Sequence, residues 1–208
     1  MPGIRLQTDA FILRRQPSAS DGYEQLSAFS AEQGTLLVLR RLSSTKAASS
    51  NVSVDLFDEV HLDLESSNQG RTWFLKDAQL ITRSGGIGRS YETLAAASRL
   101  ATLIARNTVH EESREPVASL LRQAFSSFGS AASPHAVFFK SLYCFARDEG
   151  YPVRQDWWQN LPPAARAEAA KLLNTPLAEL PKETSEEAKN LTQRLELWLR
   201  GHTEILVE

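Results

Sequence analysis

The chain has 208 residues, with 23 lysines and arginines against 25 aspartates and glutamates, which gives a formal net charge of −2. This balance argues against a strongly electropositive protein, so any contact with nucleic acid has to come from a local basic patch. A single cysteine, Cys144, excludes an internal disulfide and a multi-cysteine zinc site within this chain.

No apolar run approaches the ~18 residues that a membrane span needs. The first ten residues, MPGIRLQTDA, hold no apolar stretch of signal-peptide length. The expectation is a cytoplasmic protein, associated with the nucleoid if it binds DNA.

Three strand candidates follow one another near the N-terminus with no helix between them. The apolar run over residues 10–13 is followed by a loop rich in Pro, Ser and Gly, and then by a less regular run over residues 23–29. Gly34 supplies backbone freedom for a reversal before a third run over residues 35–39. This succession is typical of the start of a small β-barrel.

Two of these strands end in paired arginines, and a serine-rich loop that ends in a lysine follows the third strand. Long cationic side chains at a barrel mouth suit a phosphate backbone, which needs charge more than exact orientation. An ordinary solvated set of surface charges is an equally open interpretation. The candidate DNA-binding residues are Arg14, Arg15, Arg40, Arg41 and Lys46.

A fourth strand is predicted over residues 52–65, where apolar and polar side chains alternate with a period of two. Phe57 and Asp58 interrupt the alternation, which predicts a bulge or a sharp bend. After a Gly-containing turn, residues 72–82 supply a fifth strand. Five strands of this spacing predict an OB-type β-barrel over residues 1–84, a fold that commonly holds single-stranded nucleic acid.

The barrel half resembles the N-terminal domain of the RecO family of DNA repair and recombination mediators. The segments TDAFILRR and LSAFSAEQGTLLVLRRLSSTK carry the likeness, with Phe29, Ser30 and Gly34 standing for the family's Phe-Thr-x-x-x-Gly. Val38, Leu39 and Arg40 replace the small residues that usually open the family's basic loop. Many relatives also carry a four-cysteine zinc module, which this chain cannot build.

After Ser90 the apolar period changes from two to about 3.6, which predicts a C-terminal α-helical bundle over residues 85–208. Glycines at residues 85–88 suggest an interdomain hinge, with Ser90 as the cap of the next helix. The fold class is therefore α+β with two domains. Further helix boundaries are predicted at Pro116, Pro134, Pro162-Pro163, a capping box at residues 184–187 and a stop at Gly201.

The helical half also resembles RecO relatives, through VFFKSLYCFARDEGYPV and the closing stretch LTQRLELWLRGHTEILVE. The resemblance implies a mediator that binds single- and double-stranded DNA, assists annealing, and cooperates with RecR and the single-stranded-DNA-binding protein (SSB) in RecA loading. It also implies that the SSB C-terminal tail docks on the helical domain. The partner-binding candidates are Phe138, Lys140, Leu142 and Arg147, although ordinary helix cations would give the same pattern.

Catalytic signals are weak, so an enzyme is not expected and no cofactor or metal is implied. The histidines lack spacing typical of zinc ligands. The carboxylates between residues 55 and 63 fit a solvated strand face better than an acid/base pair or a magnesium site. The histidines are His61, His110, His135 and His202, and the carboxylates are Asp55, Asp58, Glu59 and Asp63. A protein-interaction adaptor that has lost DNA binding is the alternative function, and a ligand-binding barrel with a helical lid is a third.

Overall fold

The computed structural model describes residues 3–19, 22–42, 54–66, 68–130, 133–180 and 184–207. Its architecture is α+β, with a five-stranded mixed sheet followed by α-helices. The contacts divide the chain into two compact units, residues 1–84 and residues 85–208. Within the described ranges no helix has the length and apolarity required to cross a lipid bilayer.

The sheet contains β1 (Ile4–Pro17), β2 (Tyr23–Ser30), β3 (Gly34–Arg41), β4 (Glu59–Ser66) and β5 (Trp73–Thr82). The strand order is β1-β2-β3-β5-β4, and β1 also pairs with β4. All pairs are antiparallel except β3 with β5, which are parallel at Val38–Trp73 and Leu39–Phe74. All five strand candidates are therefore present, although their ends differ from the predicted ones.

Inward and outward side chains alternate along each strand, and most of the inward ones are apolar. A bulge between Ile12 and Arg14 shifts the register of β1 against β2 by one residue. Because of the bulge, Arg15 rather than Arg14 faces the same inward side of the sheet as Ile12. The packed core is formed by Ala10, Ile12, Leu26, Ala28, Leu36, Val38, Val54, Val60, Leu62, Leu64, Trp73 and Ala78.

The predicted bend at Phe57 and Asp58 is a turn, and β4 begins only after it. Phe57 has a left-handed φ of 68°, an uncommon conformation for a bulky residue. Its amide donates to the Ile12 carbonyl at 2.8 Å, and the Ile12 amide donates to the Asp58 carbonyl at 3.0 Å. The described residues 54–58 are thus not strand, contrary to the prediction, and residues 52 and 53 lie outside the described ranges.

Two of the four carboxylates predicted on a solvated strand face are buried instead. Asp58 is 1% exposed and Glu59 is 6% exposed. Asp58 accepts a hydrogen bond from the Asp55 amide at 3.0 Å and from the Arg83 guanidinium at 3.1 Å. The Asp58 carboxylate therefore fixes the turn before β4, and its burial is compensated by charge and hydrogen bonding.

The helical unit contains α1 (Tyr91–Arg106), α2 (Arg114–Ser130), α3 (Pro134–Asp148), α4 (Pro163–Asn174) and α5 (Ser185–His202). Short helical turns cover Ile87–Arg89, Glu111–Ser113, Val153–Trp157 and Leu177–Glu179. Helix α3 is central, because it packs against α1, α2 and α5 and is buried on most of its circumference.

Several helix boundaries agree with the sequence prediction, and three do not. Ser90 and Ser133 cap α1 and α3 by accepting hydrogen bonds from the amides of residues 93 and 136. Pro116, however, is the third residue of α2, and Gly201 lies inside α5 rather than ending it. Thr184 precedes α5 without a side-chain capping bond, so the predicted capping box is not formed there.

Gly86, one of the glycines that suggested a hinge, packs closely against α2 within the helical unit. Gly86 has a φ of 92°, and a Cβ added there would lie 2.8 Å from the Gly129 carbonyl oxygen of α2. Ile87, directly after it, is 1% exposed. A left-handed backbone and a close approach both require glycine at residue 86.

Candidate nucleic-acid interface and partner groove

The strand ends that carry the predicted arginines meet around Glu24 of β2. Glu24 lies directly opposite Arg40 of β3, and Arg40 Nη2 is 2.5 Å from Glu24 Oε2. Arg15 of β1 pairs with Leu26, a core residue, so it too faces the inward side. Its Nε donates to Glu24 Oε1 at 2.9 Å, and its Nη1 donates to Asp55 Oδ1 at 2.7 Å.

This cluster of Arg15, Glu24, Arg40 and Asp55 carries two positive and two negative charges. Burial alone would lower the pKa of Arg15, but hydrogen bonds to Glu24 and Asp55 raise it above its ordinary value. Burial alone would raise the pKa of Asp55, but donors from the Leu56 amide and Arg15 lower it. Arg15 and Asp55 are thus each held in the charged form by their neighbours. We call this set the Glu24 cluster; it is locally neutral.

Arg14 and Arg41 point to the opposite, outward side of the same strands. Arg14 lies opposite Ser27, and Arg41 lies opposite Tyr23. Both arginines are exposed, and neither has a hydrogen bond or ion pair to another described residue. Lys46, the fifth predicted cation, lies outside the described residues. Of the four predicted arginines that the structure describes, the inward pair has carboxylate partners, whereas the outward pair has none among the described residues.

An aromatic pair that the sequence analysis did not single out lies on this outward side. The rings of Tyr23 and Phe74 are 6.0 Å apart with an interplanar angle of 72°. Phe74 pairs with Leu39 across the parallel β3–β5 contact, and Leu37 is 37% exposed. The outward residues define what we call the β2–β3 face: Arg14, Tyr23, Gln25, Ser27, Leu37, Leu39, Arg41 and Phe74.

The outward side of β1, β4 and β5 has a different charge. Asp9 and His61 pair at 2.7 Å between Oδ1 and Nδ1, and Asp63 lies directly opposite Asp77. Two carboxylates opposite each other repel one another and any approaching phosphate. Asp9, Asp63 and Asp77 therefore lie on strands other than β2 and β3, and a net charge near zero still permits a local basic surface.

The predicted partner site on α3 is divided between two sides of the helix. Phe138 is 4% exposed and Leu142 is fully buried, and the Arg99 guanidinium lies 4.4 Å from the centre of the Phe138 ring. Lys140 and Arg147 lie on another side, because two residues along an α-helix correspond to a rotation of about 200°. The four candidates therefore do not form one surface.

Lys140 and Arg147 instead line a groove of about 360 Å³ on the helical unit. The groove is lined by Lys140, Tyr143, Cys144, Arg147, Arg154, Trp158, Leu173 and Asn174. We call it the cationic groove. Its apolar wall comes from Tyr143, Trp158 and Leu173, which replace the predicted Phe138 and Leu142.

The three cations of the cationic groove differ in their environment. Lys140 Nζ donates to the Thr175 carbonyl at 2.7 Å, and burial lowers the pKa of this lysine. Arg147 Nε donates to Asp148 Oδ1 at 2.7 Å, and this hydrogen bond raises its pKa. Arg154 is exposed. An anionic ligand would therefore find Arg154 the least constrained donor.

Cys144 lies at the wall of the same groove, half-buried and unpaired with another cysteine. Burial raises its pKa, so the thiolate fraction at neutral pH is smaller than for an ordinary cysteine. This environment is that of an unreactive thiol.

No model of a known protein family matches the chain, and no curated protein matches it either.

The described residues also show how the remaining candidates are placed. They contain no group of three or more His, Cys, Asp or Glu side chains arranged to hold a metal ion. His61 and His110 are bound to carboxylates, and His202 Nδ1 lies 2.8 Å from the Trp198 carbonyl. His135 is half-buried at the first turn of α3.

Proposed function

We propose that the protein is a non-enzymatic DNA-binding mediator of repair and recombination, as the resemblance to the RecO family implies. The observation that supports it best is the composition of the β2–β3 face. Arg14 and Arg41, which have no ion pair with any residue in the described ranges, flank a platform of aromatic and aliphatic side chains. Single-stranded nucleic acid is commonly bound by this combination of backbone-directed cations and stacking surfaces.

The spacing of the two arginines suits an extended strand laid across the face. Their β2 partners, Ser27 and Tyr23, are four residues apart, and β1 and β3 lie on either side of β2. With about 3.3 Å per residue along a strand and 4.8 Å between strands, the Cα atoms of Arg14 and Arg41 are separated by roughly 16 Å. In this proposal each guanidinium binds a separate phosphate while bases stack on Tyr23 and Phe74.

The finer fold assignment belongs to the same proposal. We infer an OB-type barrel for residues 1–84 and a separate helical domain for residues 85–208. The strand order β1-β2-β3-β5-β4, with β4 paired back to β1, supports the barrel. In OB-folds the strand 2–3 face is the usual binding surface, which is the face proposed here.

The proposed partners are single- and double-stranded DNA, RecR and the SSB C-terminal tail. The cationic groove is our revised candidate for the tail, because an apolar wall beside several cations suits a peptide with an acidic end. Trp158 and Leu173 would receive apolar side chains, and Arg154 would bind a carboxylate.

A protein-interaction adaptor without DNA binding is the second candidate. The Glu24 cluster favours it, since two of the arginines predicted to bind DNA already have carboxylate partners. The acidic outward side of β1, β4 and β5 favours it as well.

One experiment separates the two candidates: a fluorescent single-stranded oligonucleotide is titrated with the protein at low and at moderate salt. Binding that weakens steeply with salt supports the DNA mediator, because phosphate contacts release counterions. Absence of binding at low salt would reject the mediator and leave the adaptor.

A further inference from the structure

A buried carboxylate oxygen without a hydrogen-bond partner lies at the end of α3. The Glu149 side chain is 3% exposed, and its Oε2 accepts from His110, at 2.7 Å from Nδ1 and 3.4 Å from the backbone amide. Its other oxygen, Oε1, is buried and has no hydrogen-bond partner among the residues that the structure describes. Leaving a buried carboxylate oxygen unpaired is unfavourable, so the site lacks a donor.

The backbone carbonyls around Glu149, in contrast, accept hydrogen bonds. The helix ends in a Schellman motif: the Gly150 amide donates to the Arg147 carbonyl at 3.0 Å, and the Tyr151 amide donates to the Ala146 carbonyl at 3.1 Å. Ser113 Oγ donates to the Asp148 carbonyl at 2.8 Å. These carbonyls accept hydrogen bonds, whereas Oε1 of the carboxylate beside them, at the negative end of the helix dipole, accepts none from the described residues.

Glu149 forms part of the wall of a groove of about 420 Å³, a volume typical of small-ligand and peptide sites. The wall combines the end of α1, the end of α3 and the C-terminal segment. Asn107 fixes that segment, because its Oδ1 accepts from the Leu206 amide at 2.8 Å and its Nδ2 donates to the Leu206 carbonyl at 3.2 Å. A second carboxylate, Glu204, and one cation, Arg106, also line the groove.

We propose that this groove binds a guanidinium group, which donates to Glu149 Oε1. A guanidinium fits better than an ammonium, because it is planar, more weakly hydrated and able to stack on the half-buried ring of Tyr151. An arginine side chain of a partner protein and a free guanidino compound share this chemistry. The site does not involve the β2–β3 face or the cationic groove.

Access to Oε1 requires a small movement of the wall, since the atom itself is buried. The side chain of His110 is 66% exposed and contacts the same carboxylate. Side chains with this exposure change rotamer within picoseconds to nanoseconds, so His110 can move aside as a donor enters.

The test is a titration of the ¹⁵N-labelled full chain, followed by NMR at the amides of Gly150 and Tyr151. The probes are Nα-acetyl-arginine amide, its neutral citrulline analogue of the same shape, and agmatine, all at constant ionic strength. We expect saturable shifts with the two guanidinium probes and none with the citrulline analogue. If the acetylated amide binds more tightly than agmatine, the natural ligand is an arginine side chain of a protein. If agmatine binds more tightly, the natural ligand is a free guanidino compound.

The variant Glu149→Gln should weaken binding by about tenfold or more, whereas the exposed control Glu115→Gln should not change it. If Glu149→Gln unfolds, His110→Ala keeps the carboxylate and should bind arginine at least as tightly as the unaltered protein. Equal shifts with arginine and citrulline probes, or no saturable shift, would overturn the proposal. Either result would mean that a water or a reoriented Arg106 supplies the donor.

Discussion

Arg41 on β3 lies directly opposite Tyr23 on β2, so a guanidinium and an aromatic ring share the outward side of one cross-strand pair. Arg40, which precedes Arg41 in the sequence, points inward, and its Nη2 lies 2.5 Å from Glu24 Oε2. Adjacent arginines in the sequence thus have opposite environments, because successive side chains of a strand point to opposite sides. The outward member is the one available to a ligand.

Tyr23→Leu should weaken binding of single-stranded DNA by about 1–3 kcal/mol, because a stacking surface for one base is lost while apolar bulk remains. The measurement is fluorescence anisotropy with a labelled oligonucleotide. Tyr91→Leu is the matched control, since Tyr91 is 85% exposed in the helical unit and lies outside the proposed face. Equal affinity in the Tyr23 variant would exclude that ring from the binding surface.

Glu24→Gln should destabilise the fold and strengthen DNA binding at the same time. Removing the charge deprives Arg15 and Arg40 of their shared carboxylate partner, at a cost of about 1–3 kcal/mol in the free energy of unfolding. It also makes the rim of the sheet more positive, so affinity at low salt should rise about two- to fivefold.

Urea denaturation and anisotropy measure these two effects, with the exposed Glu168→Gln as control. Unchanged stability together with unchanged affinity would show that the Glu24 cluster does not restrain the arginines in solution.

The sequence alone predicts the position of these arginines at the strand ends but not the side of the sheet that each one faces. Short apolar runs bounded by turn residues predicted β1 and β3, and arginines at their ends predicted a basic rim. Which arginine faces inward depends on the bulge after Ile12 and on the pairing of Arg40 with Glu24. Register between strands is a tertiary property, so it could not be taken from β1 or β3 separately.

The candidate partner residues belong to two sides of α3. Phe138 and Lys140 are close in sequence, but helical periodicity places them on different sides of the helix. Residues at spacings of three, four and seven from Lys140, which include Tyr143, Cys144 and Arg147, do line the cationic groove. Trp158, by contrast, reaches the groove from beyond the end of α3, which periodicity within the helix could not reveal.

An acidic peptide ending in an apolar residue and a free carboxylate should bind the helical unit through the cationic groove. Arg154→Glu should weaken this binding by tenfold or more, because a charge-assisted hydrogen bond is replaced by repulsion, roughly 1.5–3 kcal/mol. Isothermal titration of the peptide measures the effect. Arg194→Glu changes the same charge on α5 and should leave affinity unaltered; equal losses in both variants would assign the interaction to net charge rather than to the groove.

The stability of the protein should decline on the acid side partly because of His135. Burial, assisted by the charge of Lys189, lowers the pKa of His135 below its ordinary value of 6.5. As the pH falls through 6.5, the unfolded chain takes up a proton that folded His135 does not, so the folded state loses stability.

His135→Gln should therefore show a shallower fall in Tm between pH 7.5 and pH 5.5 than the unaltered protein. Thermal melts across that interval, followed by circular dichroism, test this difference. Parallel curves for the two proteins would mean that His135 titrates equally in the folded and unfolded chains.

The salt dependence of DNA binding tests the proposed β2–β3 face most directly. The logarithm of the affinity for a labelled single-stranded oligonucleotide is measured against the logarithm of salt concentration. We predict that the double variant Arg14→Ala/Arg41→Ala reduces the slope by about 1.4, since each lost phosphate contact with a single strand contributes about 0.7. The control Arg194→Ala should keep the original slope. A double variant with the original slope, or a protein that does not bind the oligonucleotide at low salt, would contradict the proposal.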